Sequence, residues 1–246
     1  MRRQTVSGGG GLAAYVRTVA IGCAVAVACA TAPVPPDEPG PFRETDLVEL
    51  VRLDPSIRLD IRYATADNFV GRPMYSQARA FLQRPAAEAL VRAHRKLREQ
   101  GLGIVVFDGY RPWSVTNHFW EVATAEQREL EFVANPKNGS RHNRGCAADV
   151  TLYSLATGEA LAMPSDYDDF SERAYPTYTG GSAEARANRD LLRSVMEAEG
   201  FTVYDNEWWH FDYRDWRSYR ILDVPFERIG AGAAPSRPYA STTPRG

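Results

Sequence analysis

Between residues 57 and 63 the chain alternates, with Ile57, Leu59, Ile61 and Tyr63 apolar and Arg58, Asp60 and Arg62 between them. That period of two predicts a half-buried strand. Upstream, Leu47–Leu53 is apolar apart from Glu49 and Arg52, and Val48 and Val51 favour a second, less regular strand. The period then changes. Leu90, Ala93, His94 and Leu97 recur on one face of Ala86–Gln100, predicting an amphipathic helix stopped by Gly101. Ile104–Phe107 reads as a short buried strand, and Ser114 as the cap of a helix running to about Val122. Cys146–Leu152 reads as another strand and Ala183–Glu199 as a second amphipathic helix ending at Gly200. Phe201–Tyr204 and Trp208–Tyr213 look like a closing pair of strands. This irregular order predicts an α+β domain with a mainly antiparallel sheet flanked by helices.

Patterning also marks the ends. Residues 33–42 are rich in proline and acid and read as a linker, while 231–246 lack apolar periodicity and read as a disordered tail. One domain, 43–230, lies between them. Before the linker, Arg2, Arg3 and Arg17 precede an apolar run, Thr18–Ala28, that exits into small residues. A positive start, a short apolar core and a small-residue exit describe an export signal over residues 1–32. Its core falls short of the ~20 apolar residues of a spanning helix. Cys29, after Ala26-Val27-Ala28, stands where a lipoprotein would be cleaved and lipidated. Lipid anchoring at Cys29 and ordinary cleavage after Ala30 or Ala32 both remain open. Either way the expected location is outside the cytoplasm, in the periplasm or cell envelope.

Composition adds exclusions. The formal net charge of the 246 residues is -2, with no basic run, so a nucleic-acid partner is not expected. Cys23, Cys29 and Cys146 are the three cysteines, and no CxxC or paired Cys/His spacing describes a structural zinc site.

Of four histidines, His94 sits on a helix beside leucines and reads as a boundary or surface residue, and His118 reads as packing. His142 and His210 each fall at a strand or loop edge close to a carboxylate. In Ser140-Arg141-His142-Asn143-Arg144-Gly145-Cys146-Ala147-Ala148-Asp149, the glycine and small residues allow a tight turn into a strand. Imidazole and carboxylate can then converge on one ion, a donor set that zinc accepts with a position left for water. Glu207-Trp208-Trp209-His210 offers a second imidazole and a carboxylate able to move a proton. Residues i and i+3 of a regular strand face opposite sides, so Glu207 must sit in a turn or at a bulge to share a metal with His210. In Phe107-Asp108-Gly109-Tyr110-Arg111-Pro112, a tight turn after a strand would present Arg111, whose guanidinium can stabilise an oxyanion. Asp108 could orient Arg111 or bind a substrate amine.

Together these segments resemble the D-alanyl-D-alanine dipeptidases, the VanX-type zinc peptidases of the wider D-Ala-D-Ala peptidase and hedgehog-like fold group. The strings are DGYRP at 108–112, SRHNRGCAAD at 140–149, EWWHF at 207–211 and RYATADNFVGRPMY at 62–75, in the family's order over roughly 44–225. The resemblance implies one zinc ion per chain held by His142, Asp149 and His210, with Glu207 as general base and Arg111 steadying the transition state. It also implies that Ser140 contacts a bound dipeptide and that Asp168 reads its ammonium group. Cys146 holds a position the family leaves variable and is expected to be a buried neighbour. The implied substrate is a small D,D-dipeptide, with a cell-wall peptide as the alternative of an exported D,D- or L,D-carboxypeptidase. A non-catalytic, zinc-stabilised binding module is a remoter reading, against which Glu207 and Arg111 both count. Two histidines and one carboxylate also serve non-haem iron enzymes, although a hydrolytic context favours zinc.

Overall fold

The computed structural model describes residues 32–230 of the chain. Residues 1–31, where an export signal with Arg2, Arg3, Arg17 and Cys29 is expected, and residues 231–246, expected to be a tail, lie outside the described residues.

In chain order the elements are β1 (Leu47–Glu49), α1 (Leu50–Leu53), β2 (Arg58–Leu59), β3 (Phe81–Gln83), α2 (Arg84–Arg98), β4 (Leu102–Asp108) and α3 (Trp113–Val122). They continue with α4 (Ala125–Glu129), β5 (Ala147–Ser154), α5 (Ala183–Ala198), β6 (Phe201–Tyr204) and β7 (Glu207–Tyr213). A five-stranded sheet runs β2-β4-β5-β7-β6, and β1 and β3 form a separate antiparallel ribbon. Within the larger sheet only β2 and β4 are parallel. The α+β expectation is met.

Burial on both faces explains the near-continuous apolar runs of β4 and β5. Ile104, Val106, Val150 and Leu152 join the main core with Leu90, Ala93 and Leu97 of α2 and Leu192 and Met196 of α5. On the other face Val105, Phe107 and Tyr153 form a smaller cluster against Tyr167. The helices therefore cover one face, and the second is left for the side chains described below.

Several expectations need correcting. The Leu47–Leu53 strand lasts only three residues, and α1 then drops Leu50 into the core. Ile57, Ile61 and Tyr63 are buried as their alternation predicts, yet β2 spans two residues before a 3-10 turn at Arg62–Ala64. Alternation reports burial, and at a sheet edge burial does not require ladder pairing. Ser114 does not cap α3. Its N–H and hydroxyl both donate to Asp223 Oδ1, at 2.9 and 2.7 Å, so a distant carboxylate serves the helix start. The 33–42 linker lacks regular structure but is pinned, because Glu38 accepts from Arg144 and from the Ile221 N–H at 3.0 Å.

His94 is fully buried instead of lying at a boundary. Its Nδ1 accepts from the Ile104 N–H at 3.0 Å, and Nε2 meets Ser56 Oγ at 3.0 Å. Burial lowers its pKa against the pull of Asp54. The native state thus resists a proton that the unfolded chain accepts below about pH 6.5, and stability falls on acidification. His94→Asn can keep the Ile104 bond without titrating. The difference in melting temperature between wild type and this variant should narrow from about pH 7.5 to about pH 5.5. A constant difference across that range would remove His94 as an acid-labile element.

Candidate metal centre

Asp149 on β5 and His210 on β7 are directly opposed in the antiparallel register, so their side chains leave the sheet on one face. His142 approaches from a 3-10 turn, His142–Arg144, that Gly145 closes with φ 68°. That left-handed φ is what calls for glycine here. The result is a tight triad. Asp149 Oδ1 lies 3.1 Å from His210 Nδ1 and 3.3 Å from His142 Nε2, and the two ring nitrogens are 3.0 Å apart.

The outer partners decide which nitrogens are free. His142 Nδ1 is 2.7 Å from the Gly109 carbonyl oxygen, which can only accept, so the proton belongs on Nδ1 and the Nε2 lone pair faces the triad. His210 Nε2 is 2.9 Å from Asp212 Oδ1, leaving its Nδ1 lone pair on the same point. Asp149 Oδ2 accepts from the Tyr167 hydroxyl at 2.9 Å, while the buried Oδ1 has no hydrogen-bond partner. Two inward lone pairs and an orphaned carboxylate oxygen repel one another unless a cation sits between them. The donor atoms all lie within 4.8 Å of one another, and this N2O set fits zinc with a fourth position open.

Electrostatics agree. Burial opposes charge on His210, but Asp212 and Asp149 outweigh it and push its pKa up to about 10. Burial would raise Asp149, yet His142 and His210 hold it well below the carboxylate range. The negative field that holds a proton on His210 also attracts a metal cation. Asp212→Asn should weaken zinc binding by about 10- to 100-fold, read by chelator competition. Unchanged affinity would deny Asp212 its supporting part.

Glu207 begins β7, where the register slips. Val203 pairs with Phe211 but Tyr204 pairs with Glu207, leaving residues 208–210 without partners on β6. This irregularity is what lets Glu207 and His210 share a face, with Glu207 Oε2 3.7 Å from His210 Nδ1. Burial, opposed by His210, pushes the Glu207 pKa up to about 8, within reach of a neutral-pH base. A second slip, between Val106 and Asp108 of β4, sets Asp108 opposite Asp149. Asp108 is 1% exposed and accepts from the Tyr75 hydroxyl (2.8 Å), the Gly109 N–H (2.9 Å) and Arg111 Nε (2.9 Å). These contacts fit the expected orienting of Arg111, and Asp108 is not among the residues that line the cavity described below. Arg111 Nη2 reaches to 3.9 Å from Asp149 Oδ2.

Arg111, Ser140, Asp149, Asp168, Glu207 and His210 all line one cavity of about 400 Å3. Ser140 Oγ accepts from the His142 N–H at 3.2 Å. Asp168 has φ 60° and accepts from the Tyr63 hydroxyl at 3.0 Å, and burial pushes its pKa up to about 7. His118 stands apart at Arg72, and Cys146 is buried with its thiol on the Arg144 carbonyl. Sequence reading missed Tyr63, Tyr167 and Asp212. Asp212 could have been found, since a strand returns residue i+2 to the face of His210. Alternation predicted the burial of Tyr63 but not its bond to Asp168, and Tyr167 comes from a loop, whose direction no periodicity encodes.

The D-ala-D-ala dipeptidase family of peptidases (M15) matches residues 43–227. The D-alanyl-D-alanine dipeptidase of Escherichia coli K12 is 34% identical over 182 residues, covering 74% of this chain and 92% of that protein. The D-alanyl-D-alanine dipeptidase of Enterococcus faecium is 37% identical over 175 residues, covering 65% and 87%. Among solved structures, the LdcB LD-carboxypeptidase is a distant likeness, with TM-score 0.43, 19% identity and 71% of each chain covered. The chain belongs to the D-ala-D-ala dipeptidase family.

Proposed function

We propose that this member of the dipeptidase family hydrolyses free D-alanyl-D-alanine or related D,D-dipeptides with one zinc ion held by His142, Asp149 and His210. The observation that carries the reading is the convergence of two inward imidazole lone pairs and the orphaned Asp149 Oδ1 beside Glu207. Zinc, when bound, supplies Lewis acidity that makes water nucleophilic near neutral pH and polarises a carbonyl. The chain's own residues do the rest. Glu207 takes a proton from the attacking water and returns it to the departing amine. Arg111, held by Asp108, faces the oxygen on which negative charge develops. Asp168 receives the substrate ammonium, and Ser140 offers a hydroxyl beside His142. A cavity with fixed charges of both signs suits a zwitterion.

The competing reading is a carboxypeptidase acting on longer wall peptides. Turnover of free D-Ala-D-Ala and of a pentapeptide stem, each with and without a chelator, separates them. Zinc-dependent turnover of the dipeptide is the expected result, and activity on the stem alone would replace the dipeptidase reading.

We also propose export to the periplasm or cell envelope with a lipid anchor at Cys29, supported by Arg2-Arg3, the apolar run Thr18–Ala28 and the small residues around Cys29. Fractionation with labelled fatty acid should find the chain acylated in the envelope. A full-length cytoplasmic chain would defeat the proposal, and an exported chain without acyl label would leave ordinary cleavage.

A further inference from the structure

We propose that Arg141 reads the C-terminal carboxylate of the substrate; this rests on the peptidase reading above. The backbone of Arg141 is fixed, since its carbonyl accepts from the Arg144 and Cys146 N–H groups, both at 3.1 Å. Arg141 lines the cavity, one residue from His142. The guanidinium lies 5.0 Å from the Trp216 ring centroid and 5.8 Å from that of Tyr204, and the side chain remains 38% exposed. Nε is 3.3 Å from Asp212 Oδ2 but is buried without a hydrogen bond, and among the described residues neither terminal nitrogen donates to a protein acceptor. An arginine with its planar fork unspent, at the wall of a binding cavity, matches a carboxylate in geometry as well as charge.

The sheet order supplies the direction. Asp168 is tied to Tyr63 and Phe69, which follow β2 at one edge of the sheet. Arg141 sits against Tyr204 of β6, the opposite edge. The metal ligands Asp149 and His210 occupy β5 and β7 between them. A dipeptide with its amine at Asp168 therefore has its carboxylate on the Arg141 side when its peptide bond is at the triad. Two other arginines line the cavity and fit worse. Arg111 is committed to Asp108 through Nε and Nη2, at 2.9 and 2.8 Å. Arg128 also has a buried Nε without a hydrogen bond, but a terminal nitrogen donates to the Glu121 carbonyl, and it lies over Trp120 on α4 and not next to a metal ligand. The C-terminal carboxylate lies only one residue beyond the scissile carbonyl, so its reader must stand beside the metal centre, as Arg141 does.

The test compares D-Ala-D-Ala with its C-terminal amide, in wild type, Arg141→Gln, Arg141→Lys and Arg128→Gln, all checked for zinc content. Wild type should prefer the free acid, and Arg141→Gln should cut the acid-to-amide ratio of kcat/KM by about 10- to 100-fold. Most of that loss should appear in KM. Arg141→Lys should restore part of the ratio, because a point charge keeps attraction without the fork. Arg128→Gln should leave the ratio at its wild-type value. Equal losses on acid and amide in Arg141→Gln would mean that Arg141 acts only through Asp212 and His210, and the proposal falls. The same pair made as a pentapeptide stem keeps the test independent of the dipeptidase reading. If wild type cleaves only the stem, that reading fails while the ratio still reports on Arg141; cleavage of neither overturns both.

Discussion

Glu207→Gln should lower kcat by about 10²–10⁴-fold while the protein still binds zinc. Glutamine has nearly the shape of the carboxylic acid, so the wall it forms beside Trp209 and His210 stays filled. What it loses is the ability to take a proton and hand it on. Glu207 lies outside the group of three donors that converge on one point, so its replacement removes no member of that triad. Substrate contacts are spared as well, and KM should change far less than kcat, the pattern of an interaction made only in the transition state. Folding should not suffer, because a buried carboxylate is costly to keep and an amide is cheaper. Three measurements check this: kcat and KM on D-Ala-D-Ala, metal content by atomic spectroscopy, and the melting temperature. A kcat within tenfold of wild type would mean that another group moves the proton. Lost zinc with lost activity would move Glu207 into the metal's coordination.

How much of this was legible in the sequence depended on whether a residue's direction follows from a period. Asp149 and His210 belong to strands, and once Cys146–Leu152 and Trp208–Tyr213 are adjacent, antiparallel pairing puts the two residues on one face. The need for a turn or a bulge at Glu207 also followed from strand geometry, and the structure has the irregularity between Val203 and Tyr204. The matching slip before Asp108 was not legible, because nothing in Phe107-Asp108-Gly109 marks an extra residue within the strand. Tyr167 reaches Asp149 from a loop, and the Gly109 carbonyl that orients His142 carries no side chain to notice. His94 was misjudged for a similar reason. A polar residue on an apolar helix face reads as a boundary, whereas here the Ile104 N–H and Ser56 supply the bonds that let it be buried.

Asp149→Asn should abolish activity by removing the metal, and its clearest signature is thermal. A zinc ion that binds the folded chain more tightly than the unfolded one adds its binding energy to stability. Free zinc at a thousand times Kd contributes about 4 kcal/mol. A chelator should therefore lower the wild-type melting temperature by many degrees. Asparagine can still accept the Tyr167 hydroxyl bond, which preserves much of the local packing. It cannot supply the negative charge that, with Asp212, makes the triad attractive to a cation. The variant should purify with far less than one zinc per chain, and its melting temperature should not respond to chelator. That response separates loss of a ligand from simple misfolding, since a damaged but metal-competent fold would still be stabilised by added zinc. Two imidazoles remain, so a large excess of zinc should recover a small part of the binding. If the variant keeps stoichiometric zinc and the chelator-sensitive melting of wild type, Asp149 is not a ligand. The buried, partnerless Oδ1 would then need another explanation.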